Sequence, residues 1–271
     1  MSIVSRILYS LFRGKAEAPA SREETVIASY NIRFFNNDRD LGKRHWYVRA
    51  KYVLRNIGKM QPDILCMQEV HSPQFDFFKK HLVGYDSVIC YRDDKENSEA
   101  CPIYYNAARY TLLDSGTFWL SDTPDVMSKY EDSWHYRIST FVKLRDRNGA
   151  LITVFNVHPD YRIEENRVRQ LAVLADRVRR AEGNIVVTGD FNAKKGERCL
   201  EPFEELLRES KDFRGDLFGP TFNGFDDEEA KTIDFIYLPK EADLIETGML
   251  NDKYDGIYPS DHYPIYAKVI F

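Results

Sequence analysis

The sequence predicts an α/β domain in which packed β-sheets are covered by helices. Short apolar runs that end in turn residues, typical of buried strands, alternate with segments of helical periodicity in both halves of the chain. A long central segment, residues 102–158, predicts mostly consecutive strands. Strands connected by helices, together with such a β meander, favour sheets that pack on each other with helices outside, in one domain.

The first half of the chain predicts strands that alternate with helices. Its predicted elements are a strand at 25–32, a helix at 45–60, a strand at 63–67, a helix at 72–82, a strand at 85–91 and a charged loop at 92–100. The helix at 45–60 follows from apolar residues at helical spacing. We expect Ser72 to be the N-cap of the next helix, with Pro73 at the first helical position.

The second half of the chain begins with the β meander, after which strands again alternate with helices. Its predicted elements are strands at 102–106, 110–120, 136–145 and 150–157, a helix at 163–181, a strand that begins at Asn184 and ends at Gly189, a helix at 199–208, and strands at 232–238, 243–249 and 263–270. Asn148-Gly149 is a strong hairpin signal. Gly189 ends the strand that contains the apolar run 185–187, and it lets the backbone come close to a ligand.

Composition and charge exclude some classes of protein and leave others open. The chain has 271 residues, is 43% hydrophobic and 30% charged, and carries a net charge of −5, which is ordinary for a globular protein. It lacks the basic footprint of many nucleic-acid-binding domains. A phosphate-bearing substrate stays open, because metal ions can supply the positive charge. The four cysteines show no zinc spacing, and we expect Cys66 to be a core residue.

The N-terminal segment allows several interpretations. Apolar residues at helical spacing within residues 3–12 form a run too short to span a bilayer. A signal peptide, a short amphipathic helix on a membrane, and a helix packed on the domain all stay open. We predict an extension and linker at 1–24 and one folded domain at 25–271. No other stretch predicts a transmembrane helix; we expect a cytoplasmic monomer, while a secreted or membrane-surface location stays open.

Polar residues recur where the predicted strands end. They are Asn31, Glu69, His158, Asp190, Asn192, Asp234, Asp261 and His262. Each is explained singly as a cap or turn residue. Asp234 differs, because it interrupts an apolar run, where a carboxylate needs a partner, and His262 is the natural one. If the strand stays extended, Asp190 and Asn192 project to the same side.

These residues, in this order, resemble the endonuclease/exonuclease/phosphatase family of metal-dependent phosphoesterases. The matching motifs are Asn31, QE at 68–69, His158, GDFN at 189–192, IDFIY at 233–237 and SDH at 260–262. The resemblance spans nearly all of residues 25–271. It implies a four-layer sandwich of two packed mixed β-sheets flanked by helices.

The resemblance also implies an oxygen-only metal site. Glu69 is expected to be the main ligand of Mg²⁺, or of Mn²⁺ in its place, because these hard cations prefer oxygen. Asn31 and Asp261 would complete or support that site. We expect Glu69 to face a space for a hydrated cation rather than a lysine or an arginine.

The implied catalytic groups surround this site. Asp190 and Asn192 would orient or activate the attacking water and hold the phosphate. His262, paired with Asp234, would contact a phosphate oxygen or move a proton, because a carboxylate partner fixes the tautomer of an imidazole. The expected reaction is hydrolysis of a phosphodiester. A phosphomonoesterase acting on inositol or lipid phosphates, or a non-catalytic binding protein on the same fold, are the alternatives, and nucleic acid is among the candidate substrates.

A second histidine is implied on the other side of the phosphate. His158 would contact the scissile phosphate, with Glu99 as its orienting partner. The sequence after His158 reads Pro-Asp-Tyr, which departs from the bacterial relatives that it otherwise resembles. The remaining histidines match no motif, and we expect them to be surface or helix residues: His45, His71, His81 and His135. All the implied site residues should converge on one cleft.

Overall fold

The computed structural model describes residues 3–20, 22–213 and 219–271. Its strands are β1 (Ala16–Glu17), β2 (Thr25–Asn31), β3 (Ile64–Gln68), β4 (Leu82–Val83), β5 (Tyr85–Val88), β6 (Ile103–Asn106), β7 (Tyr110–Trp119), β8 (Ile138–Asp146), β9 (Leu151–Val157), β10 (Asn184–Asp190), β11 (Arg208–Glu209), β12 (Asp234–Leu238), β13 (Asp243–Met249) and β14 (Ile265–Ile270). Its α-helices are α1 (Ile3–Leu11), α2 (Trp46–Met60), α3 (Ser72–His81), α4 (Glu164–Arg180) and α5 (Glu201–Leu206), with 3₁₀ turns at Gly42–Arg44, Arg198–Leu200 and Ser210–Phe213.

Twelve of these strands form two six-stranded sheets. Sheet I has the strand order β13-β14-β2-β3-β6-β5, and sheet II has the order β11-β12-β10-β9-β8-β7. Each sheet contains one parallel pair, β2 with β3 in sheet I and β9 with β10 in sheet II, and its other pairs are antiparallel. Helix α2 connects the first parallel pair and helix α4 the second. A parallel pair needs such a crossover, and its strands end at the same edge of the sheet.

The layers follow from the distribution of apolar residues. Helices α2 and α3 pack on the outer face of sheet I through Trp46 and Phe78. Helices α4 and α5 cover the outer face of sheet II through Leu174 and Phe203. A third apolar cluster fills the space between the sheets and includes Cys66, which is fully buried as predicted. The predicted four-layer α/β sandwich of two mixed sheets is therefore confirmed.

Local signals account for the element boundaries. Helix α2 begins after His45, whose side chain accepts a hydrogen bond from the Tyr47 N–H, and ends at Gln61 in a left-handed conformation before Pro62. The predicted hairpin is present, because β8 and β9 are joined by a tight turn in which Gly149 has a φ of +91°.

Several boundaries differ from the sequence-based expectation: β10 continues through Gly189 to Asp190, β5 ends at Val88 rather than at residue 91, and two helices differ as well. The N-cap of α3 is His71 rather than Ser72, which is the first helical residue, so Pro73 lies one position further inside the helix. The helix predicted at 199–208 is a 3₁₀ turn followed by the short α5, which ends at Leu206. Both helix differences are of one or two residues, the usual scatter at helix ends.

The N-terminal helix α1 contacts the domain. Tyr9 and Phe12 pack on Tyr47 and Phe77 of the layer formed by α2 and α3, and β1 pairs with β4. The boundary at residue 25 stays a prediction, and residues 1, 2 and 21 lie outside the described part of the chain. In the described residues, the structure contains no helix of the length and apolar character that a membrane span requires.

Candidate active site

The polar residues at the strand ends gather at one edge of the sandwich. In sheet I, β2 ends at Asn31 and Glu69 follows β3, while in sheet II His158 follows β9 and β10 ends at Asp190. The Asn31 amide nitrogen donates a hydrogen bond of 3.0 Å to Asp190 Oδ2, which joins the two sheets at this edge. Asp234 begins β12 directly opposite Asp190. The carboxyl ends of both parallel pairs therefore meet where α/β proteins bind ligands.

Glu69 is held by two donors from the β2 end. The Asn31 amide nitrogen lies 3.2 Å from Glu69 Oε1, and the Phe34 backbone N–H donates to Oε2 at 3.0 Å. Burial alone would raise the pKa of Glu69. The positive charge of Arg33, together with the hydrogen bond from the Phe34 N–H and the charge of His262, outweighs burial and lowers the pKa to about 2. Glu69 is therefore an anion throughout the physiological pH range.

Arg33 is a site residue that the sequence did not reveal. Its guanidinium lies 3.1 Å from Asp40 Oδ2 and 3.5 Å from Asp261 Oδ2. Asp261 and Glu69 both raise the pKa of Arg33 against the effect of its burial. We expected no arginine near Glu69, and this proximity departs from that expectation, although the ion pairs of Arg33 go to other carboxylates.

Asp190 and Asn192 occupy a turn rather than a continued strand. Strand β10 ends at Asp190, and Asn192 has a φ of +51°. The condition of an extended strand through both residues is therefore not met, and the turn, the other interpretation of these residues, is present. The Asn192 backbone N–H instead donates to Asp190 Oδ1 at 2.9 Å, and the Asn192 amide nitrogen lies 3.3 Å from the Pro159 carbonyl oxygen. Asn192 thus orients Asp190 and connects it to the chain that follows His158.

His262 and Asp234 form a buried pair. His262 Nδ1 lies 2.9 Å from Asp234 Oδ2, so the predicted pairing is present, and His262 Nε2 lies 3.6 Å from Asp190 Oδ2. Burial would lower the pKa of His262, but the charges of Asp234 and Asp190 raise it to about 10. Burial raises the pKa of Asp190 to about 7. The attraction of His262 lowers this pKa only in part, and the repulsion from Asp234 raises it further. The site therefore contains an imidazolium beside a carboxyl group that titrates near neutrality.

His158 flanks Asp190 on another side. His158 Nε2 lies 3.6 Å from Asp190 Oδ2. Burial, together with the charges of Arg137 and Arg92, lowers the pKa of His158 well below its ordinary value, so the ring is neutral. Glu99, predicted as its orienting partner, instead accepts a 2.7 Å hydrogen bond from Arg92. Over residues 3–20, 22–213 and 219–271, the structure shows no hydrogen bond between Glu99 and His158.

The donor set fits a divalent cation. Four carboxyl groups, those of Glu69, Asp190, Asp234 and Asp261, supply oxygen donors at this edge. Oxygen donors of this kind suit Mg²⁺ or Mn²⁺. In the described residues, ligand atoms of Asp190, Asp234 and His262 lie within 4.8 Å of one another. Asn31, a predicted ligand, turns its amide nitrogen to the carboxylates and its oxygen to the Arg33 N–H.

A comparison of the sequence with protein families identifies the family of this chain. The sequence profile of the Endonuclease/Exonuclease/phosphatase family matches residues 28–262. The chain belongs to the endonuclease/exonuclease/phosphatase family. Members of the family are hydrolases that act on phosphoester bonds, and they generally depend on a divalent metal.

Solved structures of the endonuclease/exonuclease/phosphatase family match nearly the full chain, and two of them come from one bacterium. A family protein from Bacteroides thetaiotaomicron is 29% identical with a TM-score of 0.84, and the match covers 92% of this chain and 95% of that one. A mannosyl-6-phosphatase from the same organism is 29% identical with a TM-score of 0.83, and the match covers 91% and 100%.

A curated relative in the endonuclease/exonuclease/phosphatase family is a probable 3'-5'-exoribonuclease subunit of the CCR4-Not complex from Encephalitozoon cuniculi. It is 24% identical over 201 residues, which are 62% of this chain and 40% of that protein. The matches with the curated relatives cover between 23% and 59% of the lengths of those proteins.

A second polar link between the sheets lies beneath the site and was also missed. The Gln68 amide nitrogen donates a 2.7 Å hydrogen bond to Asn156 Oδ1. The Asn156 amide nitrogen in turn donates to the carbonyl oxygens of Met67 and Pro102. Buried amides need such partners, and these bonds fix the relative position of the two sheets. The only sequence signal was an amide inside each apolar strand.

Proposed function

We propose that the protein is a divalent-metal-dependent hydrolase of phosphoester bonds, with phosphodiesters as its first substrate class. The convergence of Glu69, Asp190 and the pair formed by His262 and Asp234 on one buried edge carries the proposal. Groups with strongly shifted pKa values in one cleft are typical of active sites. Membership of a family of phosphoester hydrolases supports the same reaction.

The protonated His262 would stabilise the charge that develops on the phosphate. Its Nδ1–H is held by Asp234, so Nε2–H points away from that carboxylate. Nε2 lies 3.6 Å from Asp190 Oδ2, beyond hydrogen-bond distance, and would donate to a phosphoryl oxygen. A donor that is fixed before the reaction costs no reorganisation during it. The neutral His158 would accept or donate a second hydrogen bond on the same phosphate.

Asp190 would orient the attacking water and receive its proton. Its carboxyl group is fixed by the amide of Asn31 and by the backbone N–H of Asn192. A pKa of about 7 suits a general base at neutral pH. Glu69, with Asn31 and Asp261, would hold the metal ion. When bound, Mg²⁺ or Mn²⁺ supplies Lewis-acid polarisation of a phosphoryl oxygen.

Phosphomonoesters are the second candidate class. The observation that favours them is the likeness to the mannosyl-6-phosphatase, which extends over 91% of this chain and the whole of that one. The diester class is supported by the exoribonuclease relative, which the chain covers only in part.

A substrate screen with metal controls tests the proposal. RNA, DNA, sphingomyelin, inositol phosphates, hexose phosphates and simple nitrophenyl mono- and diesters are incubated with Mg²⁺, with Mn²⁺, or with excess chelator. We expect metal-dependent turnover that Glu69→Gln abolishes, while the exposed Glu205→Gln on α5 leaves it unchanged. Calorimetry should show that Glu69→Gln also weakens Mg²⁺ binding. Full turnover in chelator would refute the metal role, and a folded protein without turnover would favour the binding-protein alternative.

A further inference from the structure

Helix α1 packs on the domain through one side only. Its residue Tyr9 and the following Phe12 pack against the apolar cluster that sheet I shares with helices α2 and α3. The Trp46 indole N–H, at the start of α2, donates a 3.3 Å hydrogen bond to the Tyr9 hydroxyl. The Phe12 ring also lies against His81, at the end of α3, with ring centroids 5.3 Å apart. These contacts fix α1 on the outer helical layer and leave another side of the helix open to solvent.

The open side of α1 is apolar. Its exposed apolar residues are Val4, Ile7, Leu8 and Leu11, which are between 50% and 64% exposed. They follow the i, i+3, i+4, i+7 spacing, so they form one continuous stripe along the helix, which we call the α1 stripe. Single exposed apolar residues are ordinary on a protein surface, whereas contiguous ones mark a surface that binds a partner.

A row of basic residues on α2 accompanies the α1 stripe. Lys51, Arg55 and Lys59 are exposed and four residues apart, so they lie on one face of the helix, and we call them the basic row. Lys59 pairs with Asp252 at 2.8 Å. Lys51 and Arg55 each lie 4.6 Å from the centre of a tyrosine ring, and within the described residues neither forms an ion pair. Two of the three charges are therefore available to an anion outside the protein.

A groove joins the basic row to the end of α1. It has a volume of about 480 Å³, and its lining includes Phe12 and Lys15, which follow α1, together with all three residues of the basic row. Asp76 of α3 also lies near α1, where it lines a neighbouring groove beside Lys80. The basic groups around α1 therefore outnumber this carboxylate.

The charge on this side is opposite to that of the whole chain. The chain carries a net charge of −5, yet residues 1–16 and 41–62, which contain α1 and α2, include no aspartate or glutamate. Exposed Arg6 and Arg13 add to the basic groups around the α1 stripe. An apolar stripe flanked by cations is complementary to the interface of an anionic bilayer, where acyl chains lie beneath a layer of negative headgroups.

A second copy of the chain fits this surface less well. A two-fold interface brings the same patch of both molecules together. The basic rows of the two copies would then meet across the interface, and like charges placed together oppose association. Lys51 and Arg55 would also remain without an anion.

We propose that the α1 stripe and the basic row form a docking surface for an anionic lipid bilayer. The apolar side chains of the stripe enter the boundary between headgroups and acyl chains, while Lys15, Lys51 and Arg55 contact the anionic headgroups. The helix lies in the plane of the interface, because its nine residues are far too few to cross a bilayer. This surface is separate from the residues that carry the proposed reaction.

Vesicle sedimentation with the full chain tests the docking surface. Phosphatidylcholine vesicles are compared with vesicles that also contain about 30% phosphatidylserine. The wild type should bind the anionic vesicles at least about 10-fold more tightly than the neutral ones. Rising salt should weaken this binding, because it screens the attraction between the basic row and the headgroups.

A first double variant tests the apolar contribution. Ile7→Ser combined with Leu8→Ser should weaken binding to anionic vesicles at least about 10-fold, since two apolar side chains no longer leave water for the bilayer. The matched control is Val126→Ser combined with Met127→Ser, an adjacent exposed apolar pair outside α1, which should bind like the wild type.

A second double variant tests the ionic contribution. Lys51→Gln combined with Arg55→Gln should weaken binding to anionic vesicles roughly 25-fold, because each basic residue near such a surface contributes about 5-fold. Binding to neutral vesicles should change little. The matched control is Arg145→Gln combined with Arg147→Gln, which removes two exposed charges elsewhere and should bind like the wild type.

The results separate a bilayer from other occupants of this surface. Equal binding of the wild type to both kinds of vesicle would overturn the proposal, as would unchanged binding by either test variant. Self-association of a wild type that binds no vesicles, lost on replacing Ile7 and Leu8, would assign the α1 stripe to a second copy instead. All the substituted residues are exposed, and thermal melts establish that a loss of binding is not unfolding. The experiment needs no substrate, so its result does not depend on the proposed function.

Discussion

Replacing Asp234 with asparagine should remove the charge that keeps His262 protonated while preserving the shape of the side chain. Asp234 Oδ2 lies 2.9 Å from His262 Nδ1, and both residues are almost fully buried. The asparagine oxygen can still accept the same hydrogen bond. The orientation of the ring should therefore survive, and the variant isolates the electrostatic contribution of the carboxylate.

The expected effect follows from the balance of forces on His262. Burial lowers its pKa, and Asp234 is the largest opposing charge, followed by Asp190, with Asp261 contributing less. Without Asp234 the pKa of His262 should fall from about 10 toward or below its ordinary value near 6.5. A shift on the order of three units corresponds to about 4 kcal/mol of lost preference for the imidazolium. The neutral ring would then predominate above neutral pH.

The assay is a pH–rate profile with a stability control. In the wild type, the part of the rate that depends on protonated His262 should persist until the pH approaches 10 and decline only above it. In Asp234→Asn it should decline as the pH rises through neutrality, with losses on the order of 10² or more at pH 8.5 and smaller losses at pH 6. The exposed Asp243→Asn serves as the matched control. A folded Asp234→Asn variant whose profile parallels the wild type within a factor of three would refute the reasoning.

The remaining predictions concern stability and the water-activating group. Burial raises the pKa of Glu209 to about 7. The buried carboxyl group is tolerated when protonated, so its contribution to the folding free energy is fully present below pH 4.5 and is lost as the pH rises toward 7. Glu209→Gln should therefore raise the unfolding free energy by about 3 kcal/mol at pH 8 and leave it nearly unchanged near pH 4.5, measured by urea denaturation. Gly189→Ala should destabilise the fold by roughly 2–5 kcal/mol, because its φ is +146° and the new Cβ would lie 2.0 Å from the Val157 carbonyl oxygen. Gly196 has a φ of +87°, and a Cβ added there would meet no atom within 4 Å. Gly196→Ala should therefore cost only about 1 kcal/mol, and it separates the cost of backbone strain from the cost of a steric clash. Asp190→Asn should lower kcat by about 10² or more without lowering the melting temperature, and a near-normal rate would contradict its role.

The fold was predictable because its signals are local. The apolar run before Gly189 and the helical spacing at 45–60 each correspond to an element that the structure contains, β10 and α2. The pairing of His262 with Asp234 was also predictable, since a carboxylate inside an apolar strand requires a partner of opposite charge. Both inferences use only the neighbours of a residue along the chain and the cost of burying a charge.

The residues that were missed depend on contacts between distant segments. His71 was expected to be a surface or helix residue; it is the N-cap of α3, but it is buried and stacks on Phe34 with ring centroids 5.4 Å apart. Its burial follows from the position of the β2 end, which periodicity does not encode. Glu99 was assigned to His158 by resemblance, whereas the structure places it on Arg92, seven residues earlier in the same loop.

Backbone conformation at the strand ends explains why the site forms at this edge. Arg33, Glu69 and Asn192 all have positive φ values, of +56°, +61° and +51°, and each lies one or two residues beyond a strand. Such conformations cost a non-glycine residue about 1–3 kcal/mol and persist only where surrounding contacts determine them. Here the contacts are the Phe34 N–H on Glu69 and the Asn192 N–H on Asp190, so each turn places a carboxylate at the centre of the site. A glycine would adopt these turns without strain, but it would lack the side chains that the site needs. The backbone strain is therefore the cost of placing charged and amide groups from two sheets at one point.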